Sequence, residues 1–342
     1  MESKFERERK QTILLVSILS VCVFILLLLS IVLFNNLNSS FVGSAQFIEL
    51  TDIQDMPLGR AISTLEEKGI SYRIVPAEDS RIANRVVKYE FDGSKNEDGS
   101  ILVKKDSRVK IFANEMGADK VIYLTFDDGP IINYTADMEI YYTTEELLGV
   151  LDDYGIKASF FIVGYQMVKT DRSKYVPEIL DRGHILASHT YSHEFDKIYS
   201  SVSSFVADVQ QFENELKGII GEERYNAMGK YIRFPGGSST NGYLSVSKSL
   251  EYIAAIREKG YKVFDWTALT GDAEGKSTAS EFISYLSKEL PKAKDKNLPL
   301  IVLMHDKYTT FEALPQILDY LIEEGYFFDT VDNCPEYTSA EK

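Results

Sequence analysis

Cysteine is nearly absent from this chain. There are two in 342 residues, Cys22 inside an apolar run and Cys334 near the C-terminus. They supply no disulfide framework, and neither sits in a Cys-x-x-Cys pair of the kind that holds zinc. Without disulfides the fold must rest on its core, for which about 220 residues of α/β sequence suffice. Basic charge is also short. Lys and Arg total 37 against 52 Asp and Glu, a net charge of −15. That balance excludes a nucleic-acid ligand, because phosphate binding needs a basic face. Histidine is scarce too, at four residues. Three of the four fall in two short motifs, Ser188-His189-Thr190-Tyr191-Ser192-His193 and Leu303-Met304-His305-Asp306. So few histidines, concentrated after apolar runs, argue for chemistry rather than for filling space.

Long uncharged runs are rare, and one stands out. Residues 13–34 carry no charge. At about 1.5 Å per residue such a helix spans the roughly 30 Å hydrocarbon core. Lys4, Arg7, Arg9 and Lys10 precede it, and the next basic residue is Arg60. This asymmetry predicts a cytoplasmic tail at 1–12, a transmembrane anchor at 13–34 and an extracellular remainder in a single-pass membrane protein. The competing reading is a cleaved signal with Gly43-Ser44-Ala45 as its site, but signals carry apolar regions of roughly 7–15 residues. Residues 35–46 read as a linker.

The rest is long enough for two folded units. Residues 47–116 suggest a small α+β domain. Residues 59–69 have apolar positions at helical spacing and end on a glycine stop signal. Residues 71–75, 86–91 and 107–113 alternate as strands, with a loop at 92–100. The helix ending Glu66-Glu67-Lys68-Gly69-Ile70 and the run Val103-Lys104-Lys105-Asp106-Ser107-Arg108-Val109-Lys110-Ile111 resemble a PASTA domain. The resemblance implies a wall-binding module or a spacer.

From residue 117 strands and helices alternate. Strands are expected at 121–124, 158–163, 185–187, 231–234, 261–264, 300–304 and 326–328. Helices are expected at 144–153, 176–181, 202–220, 250–259, 280–290 and 310–324. Such βα repetition predicts a parallel sheet closed, or nearly closed, into a distorted barrel, with functional groups at the C-terminal strand ends. The domain is expected over 117–334, followed by a tail at 335–342.

The chemical motifs fall at those strand ends. Asp127 and Asp128 precede Gly129-Pro130; adjacent carboxylates diverge, so one can bind a cation and the other face a substrate. A plain turn is the alternative. His189 and His193 are one helical turn apart if helical, and with Asp128 would form a two-His, one-carboxylate metal set. Alone, a His-x-x-x-His pair also suits a surface. Arg233 can orient a carboxylate, or form a surface salt bridge. Gly236 and Gly237 allow close backbone approach. Asp265-Trp266 and Leu303-Met304-His305 can supply a carboxylate, a histidine it tunes, and apolar walls. They can also be ordinary core residues.

In order and placement these motifs are similar to the polysaccharide deacetylases of carbohydrate esterase family 4. The resemblance implies a metal-dependent enzyme removing acetyl groups from peptidoglycan, chitin or xylan. It implies Asp127 as the base, Asp128, His189 and His193 as metal ligands, and Arg233 orienting the base. It further implies His305 as the acid tuned by Asp265, with Trp266 and Leu303 walling the acetate pocket. Gly236 stands where the family often has an aromatic residue, and its N–H is expected at the oxyanion. Residues 131–142 are expected as a loop over the cleft. Zinc suits the ligand set, and cobalt, nickel or manganese would fit. The expected substrate is peptidoglycan at N-acetylglucosamine. Alternatives are another polysaccharide such as chitin oligomers or xylan, or a non-catalytic wall-binding protein.

Overall fold

The computed structural model describes residues 47–342 except 79, 98, 135–139 and 240–241. The expected anchor, its preceding tail and the whole of the linker lie outside the described residues. Among those described, no helix is long and apolar enough to cross a membrane. The chain divides into two units, and the division does not follow the expected boundary at 116. The smaller comprises Ile62–Arg73 and Tyr89–Lys110 with the described residues up to Ile53; the larger comprises Gln54–Ala61, Ile74–Lys88 and Ile111–Lys342.

In the smaller unit Phe47–Leu50, Ile101–Lys104 and Gly93–Lys95 form an antiparallel sheet with Ile101–Lys104 in the middle. The expected loop at 92–100 thus contributes a short strand. The helix Leu58–Glu67 ends as its sequence signalled. Gly69 takes φ 67°, and the Ile70 N–H donates to the Leu65 carbonyl at 2.9 Å, closing the last turn.

The larger unit is built on eight parallel strands. They are β1 (Val121–Asp127), β2 (Ser159–Ile162), β3 (Ile185–Ser188), β4 (Tyr231–Ile232), β5 (Lys262–Val263), β6 (Ala268–Leu269), β7 (Leu300–His305) and β8 (Phe327–Asp329). All seven positions of β1 are buried. That is the pattern of a parallel strand covered on both faces, and it explains why its sequence is a continuous apolar run. The sheet order is β5-β4-β3-β2-β1-β7-β6. β7 occupies one edge of β1 from Leu300↔Ile122 to His305↔Asp127. β8 and β2 share the other edge in succession, β8 along 121–123 and β2 along 125–127. This register sets Asp127 and His305 side by side where both strands end.

The expected barrel is open. The hydrogen-bonded path stops at β5 and β6, and no ladder joins these two strands among the described residues. Only residues 264–267 separate them, too few for the crossover that parallel neighbours need. Phe264 instead bridges to Tyr337, and the Asp265 N–H donates to the Tyr337 carbonyl at 2.8 Å. Residues 335–342, expected as a tail, therefore fold into the unit, and Ala340 is buried in an apolar cluster. Residues 74–88 belong here as well. Ile82 bridges to Phe328 of β8, and Arg85 donates to Asp329 at 2.6 Å and to Thr330 at 2.9 Å.

The long helices follow from capped, amphipathic segments. Val202–Ile220 starts on Ser201, whose hydroxyl accepts from the Ser204 N–H. Ala279–Asp295 starts on a Thr278–Glu281 capping box. Tyr308–Glu323 buries Leu314, Ile317, Leu318 and Leu321 against the sheet.

Candidate metal and catalytic site

A cavity of about 290 Å³ opens at the C-terminal ends of the strands. Asp127, Asp128, His189, His193, Gly236, Trp266, Leu303 and His305 line it, together with Asp272. Nearly every residue singled out in the sequence thus meets at one place. The exceptions are Arg233, which lies behind the wall, and Asp265, which serves elsewhere.

Asp128, His189 and His193 offer ligand atoms that all lie within 4.8 Å of one another. His193 Nε2 lies 3.5 Å and His189 Nε2 3.7 Å from Asp128 Oδ1. The expected route to this cluster needs correction. The two histidines are not on a helix; they flank an irregular loop after β3, in which Thr190 and His193 take φ 66° and 56°. The left-handed backbone at these positions, not a helical turn, brings the imidazoles together, with ring centroids 5.0 Å apart. Asp128 is itself left-handed, at φ 74°, which turns its carboxylate away from that of Asp127. Asp208 pins this loop, accepting from the Tyr191 and Ser192 N–H groups at 2.6 and 3.0 Å.

His189 Nδ1 lies 2.9 Å from the Arg233 carbonyl. A carbonyl only accepts, so Nδ1 carries the proton and Nε2 presents its lone pair to the cluster. Burial, with the neighbouring His189, pushes the His193 pKa down, so its imidazole is neutral, as a ligand must be. Two imidazoles and a carboxylate, all aimed inward with positions to spare, fit a catalytic divalent ion.

Asp127 is held for a different task. Its Oδ1 accepts from Arg233 Nη1 at 2.7 Å. Arg233 is wholly buried. Its remaining donors reach Thr125 Oγ1 at 2.8 Å, the Phe264 carbonyl at 3.0 Å and the Asp265 carbonyl at 3.2 Å, and its guanidinium lies 4.2 Å from the centre of the Phe161 ring. The buried charge is thereby paired and its hydrogen bonds are met. Asp127 Oδ2 remains on the cavity side, 3.7 Å from His189 Nε2.

The partner of His305 is Asp272, not Asp265. Asp272 Oδ1 lies 2.9 Å from His305 Nδ1, and its Oδ2 accepts from the His305 N–H at 2.7 Å and the Thr310 hydroxyl at 2.8 Å. Burial would lower the His305 pKa, but the Asp272 hydrogen bond and charge, with Asp127 and Asp128 nearby, raise it overall. Burial would likewise raise Asp272, yet its bonds to His305 hold it below the usual carboxylate range. Both shifts describe an ion pair, an imidazolium on a carboxylate. Asp265 faces the other way, accepting from the Ser238 N–H at 2.9 Å, the Ser238 hydroxyl at 2.6 Å and the Ser339 N–H at 2.7 Å. The sequence places both aspartates in one stretch. Asp272 follows Gly271, whose φ of 83° turns the chain after β6 back toward β7, and the two-residue β6 had no periodicity to reveal that turn.

Gly236 and Gly237 both have positive φ, 76° and 81°. A Cβ on Gly237 would come 3.1 Å from the Trp266 ring, so glycine there lets the loop lie against the indole. Trp266 and the largely buried Leu303 form apolar wall on the β6–β7 side. Phe195, Leu269 and Glu274 also line the cavity, and no sequence pattern had marked them. After Pro130 the chain forms a short hairpin, Asn133–Tyr134 with Ile140–Tyr141, where a loop was expected. Asp306, next to His305, is fully buried behind the Gly129 turn, and burial raises its pKa to about 7. Its Oδ2 takes the Thr144 hydroxyl, which itself accepts the Ile131 N–H at 3.1 Å.

An open parallel sheet with a two-His, one-carboxylate set, a buried Arg–Asp pair and a His–Asp pair at its strand ends defines a hydrolase acting on acetylated polysaccharide. The chain belongs to the polysaccharide deacetylases of carbohydrate esterase family 4. The family model of polysaccharide deacetylases matches residues 114–255. The peptidoglycan-N-acetylglucosamine deacetylase of Bacillus cereus is 29% identical over 61% of this chain and 68% of its own length. The peptidoglycan-N-acetylmuramic acid deacetylase PdaA of Bacillus subtilis is 27% identical over 63% of this chain and 71% of its own length. The solved catalytic domain of peptidoglycan N-acetylglucosamine deacetylase from Eubacterium rectale superposes with a TM-score of 0.50 at 30% identity, covering 65% of this chain and 90% of that domain.

Proposed function

We propose that this protein is a membrane-anchored, metal-dependent deacetylase that removes N-acetyl groups from the N-acetylglucosamine residues of peptidoglycan. One observation carries the reading. Asp127 and His305 stand as register neighbours at two strand ends, each held by its own buried partner, beside the Asp128–His189–His193 set.

A divalent ion on those three residues would supply Lewis acidity to an acetamide carbonyl and to a water. The protein's own groups do the rest. Asp127, aimed by Arg233, takes the proton of the attacking water. The Gly236 N–H is assigned to the developing oxyanion. His305, protonated through its pairing with Asp272, gives its proton to the departing sugar amine. Trp266 and Leu303 enclose the acetyl methyl and exclude water from it.

Peptidoglycan is favoured by the named relatives, which act on it. Retention of both aspartates in the opening motif favours N-acetylglucosamine. The apolar stretch at 13–34 would anchor the chain with its catalytic unit outside the cell, and the PASTA-like segment would serve as wall contact or spacer. Zinc is the metal assigned.

The test is acetate release from purified peptidoglycan by the full chain, with muropeptide masses read before and after. The expected product lacks one acetyl group on N-acetylglucosamine, a chelator abolishes it, and added zinc restores it. Release from chitin oligomers or xylan but never from peptidoglycan would overturn the substrate assignment.

A further inference from the structure

A second groove of about 430 Å³ runs beside the catalytic cavity and shares His193 with it. Tyr165 and Tyr191 line it, with Lys197 and Glu194. Tyr165 lies in a short helix, Gly164–Met167, that is fastened to the ligand loop. The Gly164 N–H donates to the Thr190 carbonyl at 3.0 Å and the Tyr165 N–H to the Tyr191 carbonyl at 2.8 Å. A Cβ on Gly164 would come 2.8 Å from Tyr191 Cα, so only glycine permits this approach. Whatever Tyr165 carries is therefore held at a set place relative to the metal ligands.

Tyr165 carries one cation on its ring and is linked to a second through Gln166. Lys169 Nζ lies 5.0 Å from the centre of its ring. Lys169 and Arg172 both donate to the same acceptor, Gln166 Oε1, and Gln166 Nε2 in turn donates to Tyr165 Oη at 2.9 Å. An amide oxygen is neutral, so this shared acceptor orients two positive charges without cancelling either. Asp171, itself exposed, forms a loose ion pair with Arg172, 3.9 Å from Nε, and offsets part of that charge. Arg172 Nε is buried with no hydrogen-bond partner among the described residues. Burial and the Arg172 charge hold the Lys169 pKa below its usual range. In a chain of net charge −15, two cations sharing one neutral oxygen beside the catalytic groove are arranged for an outside anion.

We propose that Lys169 and Arg172, oriented by Gln166 next to Tyr165, form a carboxylate-binding subsite that takes the acidic peptide stem of the glycan undergoing deacetylation. The inference rests on the deacetylase reading above and deepens it. It makes the enzyme selective for glycans bearing carboxylates over neutral N-acetylglucosamine polymers of the same backbone.

The experiment compares kcat/KM of the metal-loaded full chain on two substrates, peptidoglycan fragments with intact acidic stems and neutral N-acetylglucosamine oligomers. Loss of one charge-assisted contact lowers the acidic-to-neutral ratio about tenfold in Lys169→Gln, chiefly through KM. Lys169→Glu lowers it further, and salt at about 0.5 M narrows the difference between parent and variant. Lys169 is exposed, so its variants leave the packing intact, and Arg172→Gln gives a second reading of the same ratio. An unchanged ratio in the Lys169 variants, with the parent active on both substrates, overturns the subsite alone. A parent that frees acetate from neither substrate overturns the deacetylase reading, and the subsite with it.

Discussion

His305 acts as an acid only while protonated, and Asp272 decides how far up in pH that lasts. The pairing raises the folded-state pKa, so the competent form persists above the ordinary histidine range and is lost as pH rises through the raised value. In Asp272→Asn burial loses its main opponent, with only the Asp127 and Asp128 charges left against it. The alkaline limb of kcat/KM should move to lower pH, and the neutral-pH rate should fall on the order of 100-fold. Asp265→Asn is the control that separates the two aspartates. Asp265 contacts Ser238 and Ser339 rather than His305, so its variant should keep the alkaline limb in place whatever its rate. A limb that moves in Asp265→Asn and not in Asp272→Asn would reverse the assignment. Asp127→Asn should stop turnover yet retain zinc, read by metal content after dialysis. Arg233→Ala strands a buried carboxylate and should cost about 3–5 kcal/mol in urea unfolding. Residue types at the site were legible because histidine is so scarce. The exchange of Asp272 for Asp265 was not, because which of two nearby carboxylates meets a given imidazole depends on where the chain turns between them.

Elements divide by length. The helices Val202–Ile220, Ala279–Asp295 and Tyr308–Glu323 were visible because amphipathic spacing repeats over several turns and each has a start signal or apolar stripe. β1, β2 and β7 were visible as buried apolar runs. β6 and the strand Gly93–Lys95 were not, being too short to establish a period. The loop from His189 to His193 shows the same limit. Its spacing suits a helix, but two left-handed residues and the Asp208 carboxylate impose another path. That path leans on Gly164. In Gly164→Ala the new methyl would press on the Tyr191 backbone and shift the loop, so zinc affinity should fall about 10–100-fold in a competition titration. Unchanged affinity there would mean the loop holds its ligands without this support.

At the scale of the molecule the C-terminal segment closes the unit that carries the site. Ser339 helps hold Asp265, Ala340 is buried, and Arg257 donates to both carboxylate oxygens of Glu341 at 2.6 and 2.8 Å. Deleting residues 335–342 should lower Tm by several degrees and slow deacetylation, since Asp265 would keep only its Ser238 contacts to hold the Gly236 loop. Activity equal to the parent would show that the segment merely covers the sheet edge. Local pattern alone determined the alternation of strands and helices and the short roster of groups able to bind a cation or move a proton. Those follow from periodicity and residue chemistry, which are properties of neighbours in the chain. Tertiary structure decided that the sheet stays open between β5 and β6, that a presumed tail completes it, that a loop rather than a helix assembles the ligands, and that Asp272 faces His305. Each depends on which distant segments meet, and such meetings are set by strand register, close approach at glycine and the burial of charges with their partners.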